Sequence, residues 1–158
     1  MPSPCPRTIL VAVDGSVYSE RAFNWYADKF RQDKDQVVFV HVYESPITPP
    51  PTFANCMSIP PREEWELMLG KAERKAVEIL NNYERKCKEI ELPFKTIYAY
   101  GPIGHVICTA GKEQKAECII LGSRGLGTIR RTILGSVCDY VTQHMNVPVL
   151  MVPSADNR

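Results

Sequence analysis

The fifteen residues from Gly122 to Ser136, GSRGLGTIRRTILGS, put four glycines and three arginines between an apolar run, CIIL, and a segment of helical spacing, VCDYVTQHM. Glycine lets a backbone turn its N–H groups onto a ligand without side-chain obstruction, and arginine favours an anion there. Gly135 and Ser136 open the following helix, whose first N–H groups lack internal partners and carry partial positive charge. Such a helix start binds phosphate readily, and the Ser136 hydroxyl adds a donor. Taken alone, Gly135–Ser136 reads equally well as a plain cap, with the arginines a solvated face. Its place after a strand favours the phosphate reading. The second chemistry-bearing residue is Asp14, in DGS at the end of ILVAV. On the plain reading it is a turn or N-cap acceptor. On the functional one its carboxylate holds a ribose hydroxyl, or a divalent metal such as Mg2+ that accompanies a triphosphate.

Two standard phosphate motifs fail here. Gly122 to Gly127 has the glycine spacing of GxxxxGK[ST], but Thr128 stands where lysine is needed. Gly125 and Gly127 are followed by Arg130, which breaks GxGxxG. The spacing that is met is G-x2-G-x9-G-[ST], through Gly122, Gly125, Gly135 and Ser136.

The elements around these residues alternate. RTILVAV, Arg7 to Val13, is a β-rich run ending in a helix-start signal, and from Ser16 the residues Phe23, Tyr26, Ala27 and Phe30 form one apolar helical stripe. QVVFVHV is a nearly continuous apolar strand, as in sheets covered on both faces. Residues 43–62 hold six of the thirteen prolines, which predicts an irregular connection. A helix follows from about Glu63 to near Glu89, with Trp65, Met68, Leu69, Ala72, Ala76, Ile79, Leu80, Tyr83 and Cys87 on one face. Then come FKTIYAY, a helix opened by GPIGHVI, AECIILG, a helix through Val137, Tyr140 and Val141, and a last strand within NVPVLMVP. This βα repetition predicts an α/β fold: a Rossmann-like open five-stranded parallel sheet with helices on both faces. One domain spans 1–153, and 154–158 form a tail. Asp14, the segment after Val42 and the stretch from Gly122 all fall at strand C-termini, where open α/β sheets bind ligands.

Bulk composition narrows the function. Lys and Arg number 19 against 18 Asp and Glu, for a net charge of +1, which argues against a nucleic-acid or membrane-surface binder. No apolar run is long enough to span a bilayer or act as a secretory leader. The cysteines at 5, 56, 87, 108, 118 and 138 show no CxxC spacing and read as reduced thiols of a cytoplasmic protein. A metal site built from His41, His105 and His144 has no support. His105, Pro102, Ile103 and Tyr43 read more simply as cap, turn and rim residues than as ligand contacts, and Trp65 as packing.

The glycine spacing, together with ILVAVDGS, HVYE, GPIGHVI and PVLMVP in that order, resembles the ATP-binding class of the universal stress protein family over nearly the whole chain. The resemblance implies an adenine nucleotide alpha hydrolase-like fold and a site for ATP, ADP or AMP. It places Ala12, Val13 and Asp14 at the nucleotide, with Val42 reading the adenine edge through its backbone. Gly122, Ser123, Arg124, Gly125, Gly127, Arg131, Gly135, Ser136 and Val137 would surround the phosphates. Two features depart from the family pattern: the proline-rich insertion, and Glu117 where aspartate is commoner.

The resulting expectation is a nucleotide-dependent regulatory or stress-response module; the alternative is a slow ATP hydrolase or nucleotidyl-handling enzyme. Hydrolysis needs a residue to orient water, and no glutamate or glutamine beside the motif has a clear claim to it. The SGGxDS loop of adenylating relatives is absent too, since that position reads VDGS. Nothing calls for a flavin. An apolar last strand, 147–152, left at a sheet edge exposes unpaired backbone groups, and pairing with its copy across a two-fold axis covers them. The resemblance also implies a homodimer through this strand, bracketed by Pro148 and Pro153.

Overall fold

The computed structural model describes residues 6–43, 61–123 and 135–155. Its strands are β1 (Thr8–Ala12), β2 (Gln36–Tyr43), β3 (Phe94–Tyr100), β4 (Cys118–Gly122) and β5 (Val149–Val152). Its helices are α1 (Val17–Trp25), α2 (Arg62–Glu89), α3 (Ile103–Glu113) and α4 (Ser136–His144). The strands pair in parallel in the order β3-β2-β1-β4-β5. The register runs Thr8–Gln36 to Ala12–Val40 between β1 and β2, and Ile9–Cys118 to Val11–Ile120 between β1 and β4. The predicted α/β architecture is therefore the observed one.

Side chains of β1 alternate between two buried layers, as the period of a strand demands. Ile9 and Val11 meet Phe23 of α1 and Leu80 and Tyr83 of α2 on one face, while Leu10 meets Ile107 of α3 and Val141 of α4 on the other. With both faces covered, the central residues of the two strands, Ile9 to Val11 and Val37 to Val40, have to be apolar. The first layer centres on three rings: Phe23 to Phe39 at 5.2 Å, Phe23 to Tyr83 at 5.7 Å and Phe39 to Tyr83 at 5.0 Å. Such ring pairs add about 0.5–1.5 kcal/mol each beyond burial.

Two local details differ from the expected pattern. The first helix does not continue as an α-helix to Phe30; Tyr26–Phe30 form a π-helical turn, closed by the Arg31 N–H on the Tyr26 carbonyl at 2.8 Å. The wider turn lays Phe30 beside Trp25 at 6.0 Å and under the Arg7 guanidinium at 4.6 Å. In α2 the apolar face is fully buried only from Ala76 onward, and Trp65, Met68, Leu69 and Ala72 are half-buried. A 28-residue helix is about 42 Å long and an 8-residue strand about 26 Å, so the first turns of α2 overhang the carboxyl edge of the sheet. Ser154, assigned from the sequence to the tail, is buried and donates its N–H to Ser123 Oγ at 3.0 Å. The proline-rich residues 44–60 lie outside the described residues.

The chain winds from β1 to β2 and β3, then returns to the other side of β1 for β4. That reversal leaves a crevice between the carboxyl ends of β1 and β4.

Candidate functional site

At the end of β1 the chain turns sharply. Asp14 Oδ1 accepts the Ser16 N–H at 2.9 Å, Gly15 takes a positive φ of 78°, and Ser16 caps α1 by accepting the Ser19 N–H at 3.2 Å. The Asp14 side chain thus does the turn-building work of the plain reading while standing half-exposed at the crevice. Ala12 is half-buried and packs against the α3–α4 layer, and Val13 is buried in the α1–α2 layer.

Across the crevice, Gly122 closes β4. A Cβ there would lie 2.8 Å from the Tyr18 carbonyl oxygen and 3.2 Å from the Ser19 nitrogen, so the close approach of α1's first turn demands glycine. This is a packing reason that sequence spacing does not reveal. The Ser123 N–H, expected to face an anion, donates to the Val152 carbonyl at 2.9 Å and is committed to the sheet. Arg124, Gly125, Gly127 and Arg131 lie outside the described residues.

The start of α4 is held against the same strand end. Cys138 is buried, and its Sγ–H donates to the Gly122 carbonyl at 3.7 Å. Burial pushes the Cys138 thiol above its ordinary range and keeps that hydrogen in place. Gly135 is the N-cap and offers no side-chain cap, so helix geometry leaves the first N–H groups of α4, from Ser136 on, without an intrahelical acceptor. No described atom lies within 4 Å of where a Gly135 Cβ would sit, so no described neighbour requires glycine there. Ser136 is exposed, and Val137 is half-buried against the α3–α4 layer.

Val42 sits one step along the sheet. The Val13 N–H reaches the Val40 carbonyl at 2.9 Å, and the Gly101 N–H reaches the Tyr43 carbonyl at 3.3 Å. Successive residues of a parallel strand turn their backbone groups to alternate neighbours. The N–H and C=O of Val42 therefore face the β1 side of β2, past the last β1–β2 pair, Ala12–Val40. A planar ring with one donor and one acceptor on its edge suits that position.

Several contributors had no sequence signal. His41 is buried, and its Nδ1 donates to the Val13 carbonyl at 2.8 Å. Tyr83 reaches Ser19 Oγ at 3.2 Å from α2. Gly104 admits the Tyr140 ring, whose Cδ1 would lie 2.6 Å from a Cβ, and so seats α3 on α4. Among the described residues no group of three or more His, Cys, Asp and Glu could hold a metal. A separate open cleft of about 310 Å³ lies on the α1–α2 face, lined by Gly15, Lys75, Glu78 and Tyr83 among others.

Sequence comparison places the chain in a known family. Residues 6–153 match the model of the universal stress protein family. The chain belongs to that family. Universal stress protein YxiE of Bacillus subtilis is 28% identical over 144 residues, covering 91% of this chain and 97% of the relative. Among solved structures, the protein MJ0577 superposes with a TM-score of 0.79 at 23% identity, over 96% of this chain and 99% of its own. A universal stress protein family protein of Arabidopsis thaliana, At3g01520, with AMP bound, superposes with a TM-score of 0.68 at 24% identity, over 96% and 94%. Among the described residues no helix is long and apolar enough to cross a membrane.

Proposed function

We propose that this chain binds an adenine nucleotide, ATP or its relatives ADP and AMP, as a nucleotide-dependent regulatory module of the universal stress protein family. The observation that carries the reading is the start of α4. It opens on a glycine without a side-chain cap and is held by Cys138 against the end of β4, at the reversal of strand order. Its first N–H groups supply several donors and a partial positive charge to a phosphate. The reading further assigns Arg124, Gly125, Gly127 and Arg131 to the phosphates, the adenine edge to the Val42 backbone, and the ribose or a metal to Asp14. The AMP-bound Arabidopsis relative supports an adenine ligand. With no acidic or histidine cluster among the described residues, Mg2+ would be held by the phosphates, with Asp14 contributing one carboxylate. The four described cysteines are buried free thiols, which supports a reducing, cytoplasmic setting.

Calorimetry with ATP, ADP and AMP, with and without Mg2+, tests the assignment. ATP binding is expected, and it is expected to fall at least ~100-fold in Gly135→Val and Ser136→Asp, which block approach to the helix start and place like charge there. No heat with any adenylate on folded protein removes the reading. We further propose a homodimer through the outer edge of β5, where Met151 is exposed. Light scattering that finds a monomer at micromolar concentration refutes it.

A further inference from the structure

We infer that the Val13–Asp14 peptide group is clamped by buried side chains at both ends, with His41 on its carbonyl and Ser19 backed by Tyr83 on its N–H. Tyr83 and His41 are thereby positioning residues for Asp14. The geometry stands by itself, and the consequence for ligand binding rests on the nucleotide reading above. Beyond Ala12 the β1–β2 pairing ends, and the peptide that aims Asp14 is held by side chains from three other elements.

Donor directions follow from which atoms can carry a hydrogen. The Val13 carbonyl only accepts, so His41 Nδ1 is protonated and donates to it at 2.8 Å. Ser19 Oγ lies 3.1 Å from the Ser16 carbonyl, another pure acceptor, and its single hydrogen goes there. The same oxygen then accepts twice, from the Asp14 N–H at 3.4 Å and from Tyr83 Oη at 3.2 Å, which makes Tyr83 the donor. Burial pushes the Tyr83 phenol up to about 12, so it keeps this hydrogen at neutral pH. Ser19, His41 and Tyr83 are all buried, so water does not compete for these bonds. The polar chain therefore runs from α2, through Ser19, to the peptide that carries Asp14, whose carboxylate in turn closes the turn on Ser16. Tyr83 is 64 residues from Ser19 in sequence, and α2 reaches the crevice through this phenol.

The test uses the full chain with Tyr83→Phe and Ser19→Ala, singly and together. Two quantities are measured: NMR-detected hydrogen exchange of the Asp14 amide without nucleotide, and ATP affinity by calorimetry. Loss of one bond of the chain is expected to speed Asp14 exchange about fivefold to tenfold and to weaken ATP by a similar factor. The double variant is expected to be no worse than Ser19→Ala alone, because one chain is broken once. Cys87→Ala, one turn along α2, lowers the melting temperature and leaves both quantities unchanged. Wild-type Asp14 exchange in folded Tyr83→Phe overturns the clamp, and faster exchange with unchanged ATP affinity overturns the positioning role. Additive losses in the double variant overturn the single chain. If the wild type binds no adenylate, the nucleotide reading falls and the exchange data alone decide the clamp.

Discussion

At the amino ends of β1 and β2, charged groups close on one another; at the carboxyl ends of β1 and β4, polar groups are arrayed around a crevice. Arg7 donates from Nε to Asp35 Oδ1 and from Nη2 to Asp35 Oδ2, both at 2.8 Å, and Nη2 also reaches the Phe30 carbonyl at 3.0 Å. Tyr26 Oη and the Gln32 N–H add bonds to Oδ2 at 2.9 and 3.0 Å. Burial pushes the Asp35 carboxyl up, but the bonds from Arg7, Gln32 and Tyr26 together outweigh it and hold the group below the usual carboxylate range. The crevice end is built differently. There a glycine-started helix, a strand end and an Asx turn are brought close by packing, and the backbone donors of α4's first turn are left over by helix geometry. One end uses side-chain charge to satisfy itself and secure the fold. The other uses main-chain donors and small residues, the arrangement that suits an incoming anion.

Breaking the closed end gives the largest expected effect. Arg7→Leu strands a buried carboxylate, whose side chain is 0% exposed in the pair, and is expected to cost about 3–5 kcal/mol in chemical denaturation. Adenylate affinity of the folded variant is expected to stay at the wild-type value. The pH dependence gives a further check. Because the folded Asp35 titrates below its unfolded value, its contribution is complete above about pH 4 and is lost as pH falls through the folded pKa. In Arg7→Leu, burial without the guanidinium raises the Asp35 carboxyl instead, so the stability gap is expected to start shrinking above about pH 4, as the variant's Asp35 takes up its proton, and to shrink further below it. A gap that is constant across that range removes Asp35 as the partner.

Gly122→Ala tests whether the two ends are separable, since this glycine serves both packing and the crevice. A Cβ 2.8 Å from the Tyr18 carbonyl oxygen meets backbone that cannot swing aside. The strain is expected to lower stability by about 1–3 kcal/mol and to shift α1's start, Asp14 turn included. Adenylate affinity is expected to fall with it, in contrast to Arg7→Leu. A stability loss with intact affinity would show that the crevice tolerates movement of α1.

The pattern of these effects follows what the sequence could and could not disclose. Continuous apolar runs such as ILVAV and QVVFV, broken by amphipathic segments, specify strand and helix order because burial on both faces leaves no other reading. The places of Asp14, Val42 and Gly135 at or next to element ends were legible because the pattern located those elements. Asp35 was not, since in RQDKDQ it looks like any solvated charge. Only the parallel register, with the Gln36 N–H on the Arg7 carbonyl at 2.9 Å, brings the residue before β1 level with the residue before β2. Opposite charges immediately before each of two neighbouring parallel strands, Arg7 and Asp35, are the signal that could have found the pair. Tyr83 was read as core from its helical position, and nothing local shows that its hydroxyl finds Ser19. Gly122 was assigned to the ligand by its spacing, whereas contact with α1 already accounts for it.

The smallest expected effect separates the two roles of Asp14. Its Oδ1 closes the turn by accepting the Ser16 N–H at 2.9 Å, and an asparagine oxygen accepts that bond equally well. Asp14→Asn therefore keeps the Asx turn, the cap of α1 and the melting temperature, while it removes one negative charge from the crevice. If Asp14 helps to hold Mg2+ beside the phosphates, the variant is expected to lose a few-fold in affinity for Mg-ATP, on the order of 1 kcal/mol. For ATP without metal the sign reverses, because a carboxylate near polyphosphate is repulsive, and binding is expected to tighten by a similar factor. Equal weakening in both conditions would assign the carboxylate to a ribose hydroxyl instead. A fall in melting temperature with no change in either affinity would return Asp14 to the closed end's kind of residue, one that satisfies the fold and nothing else.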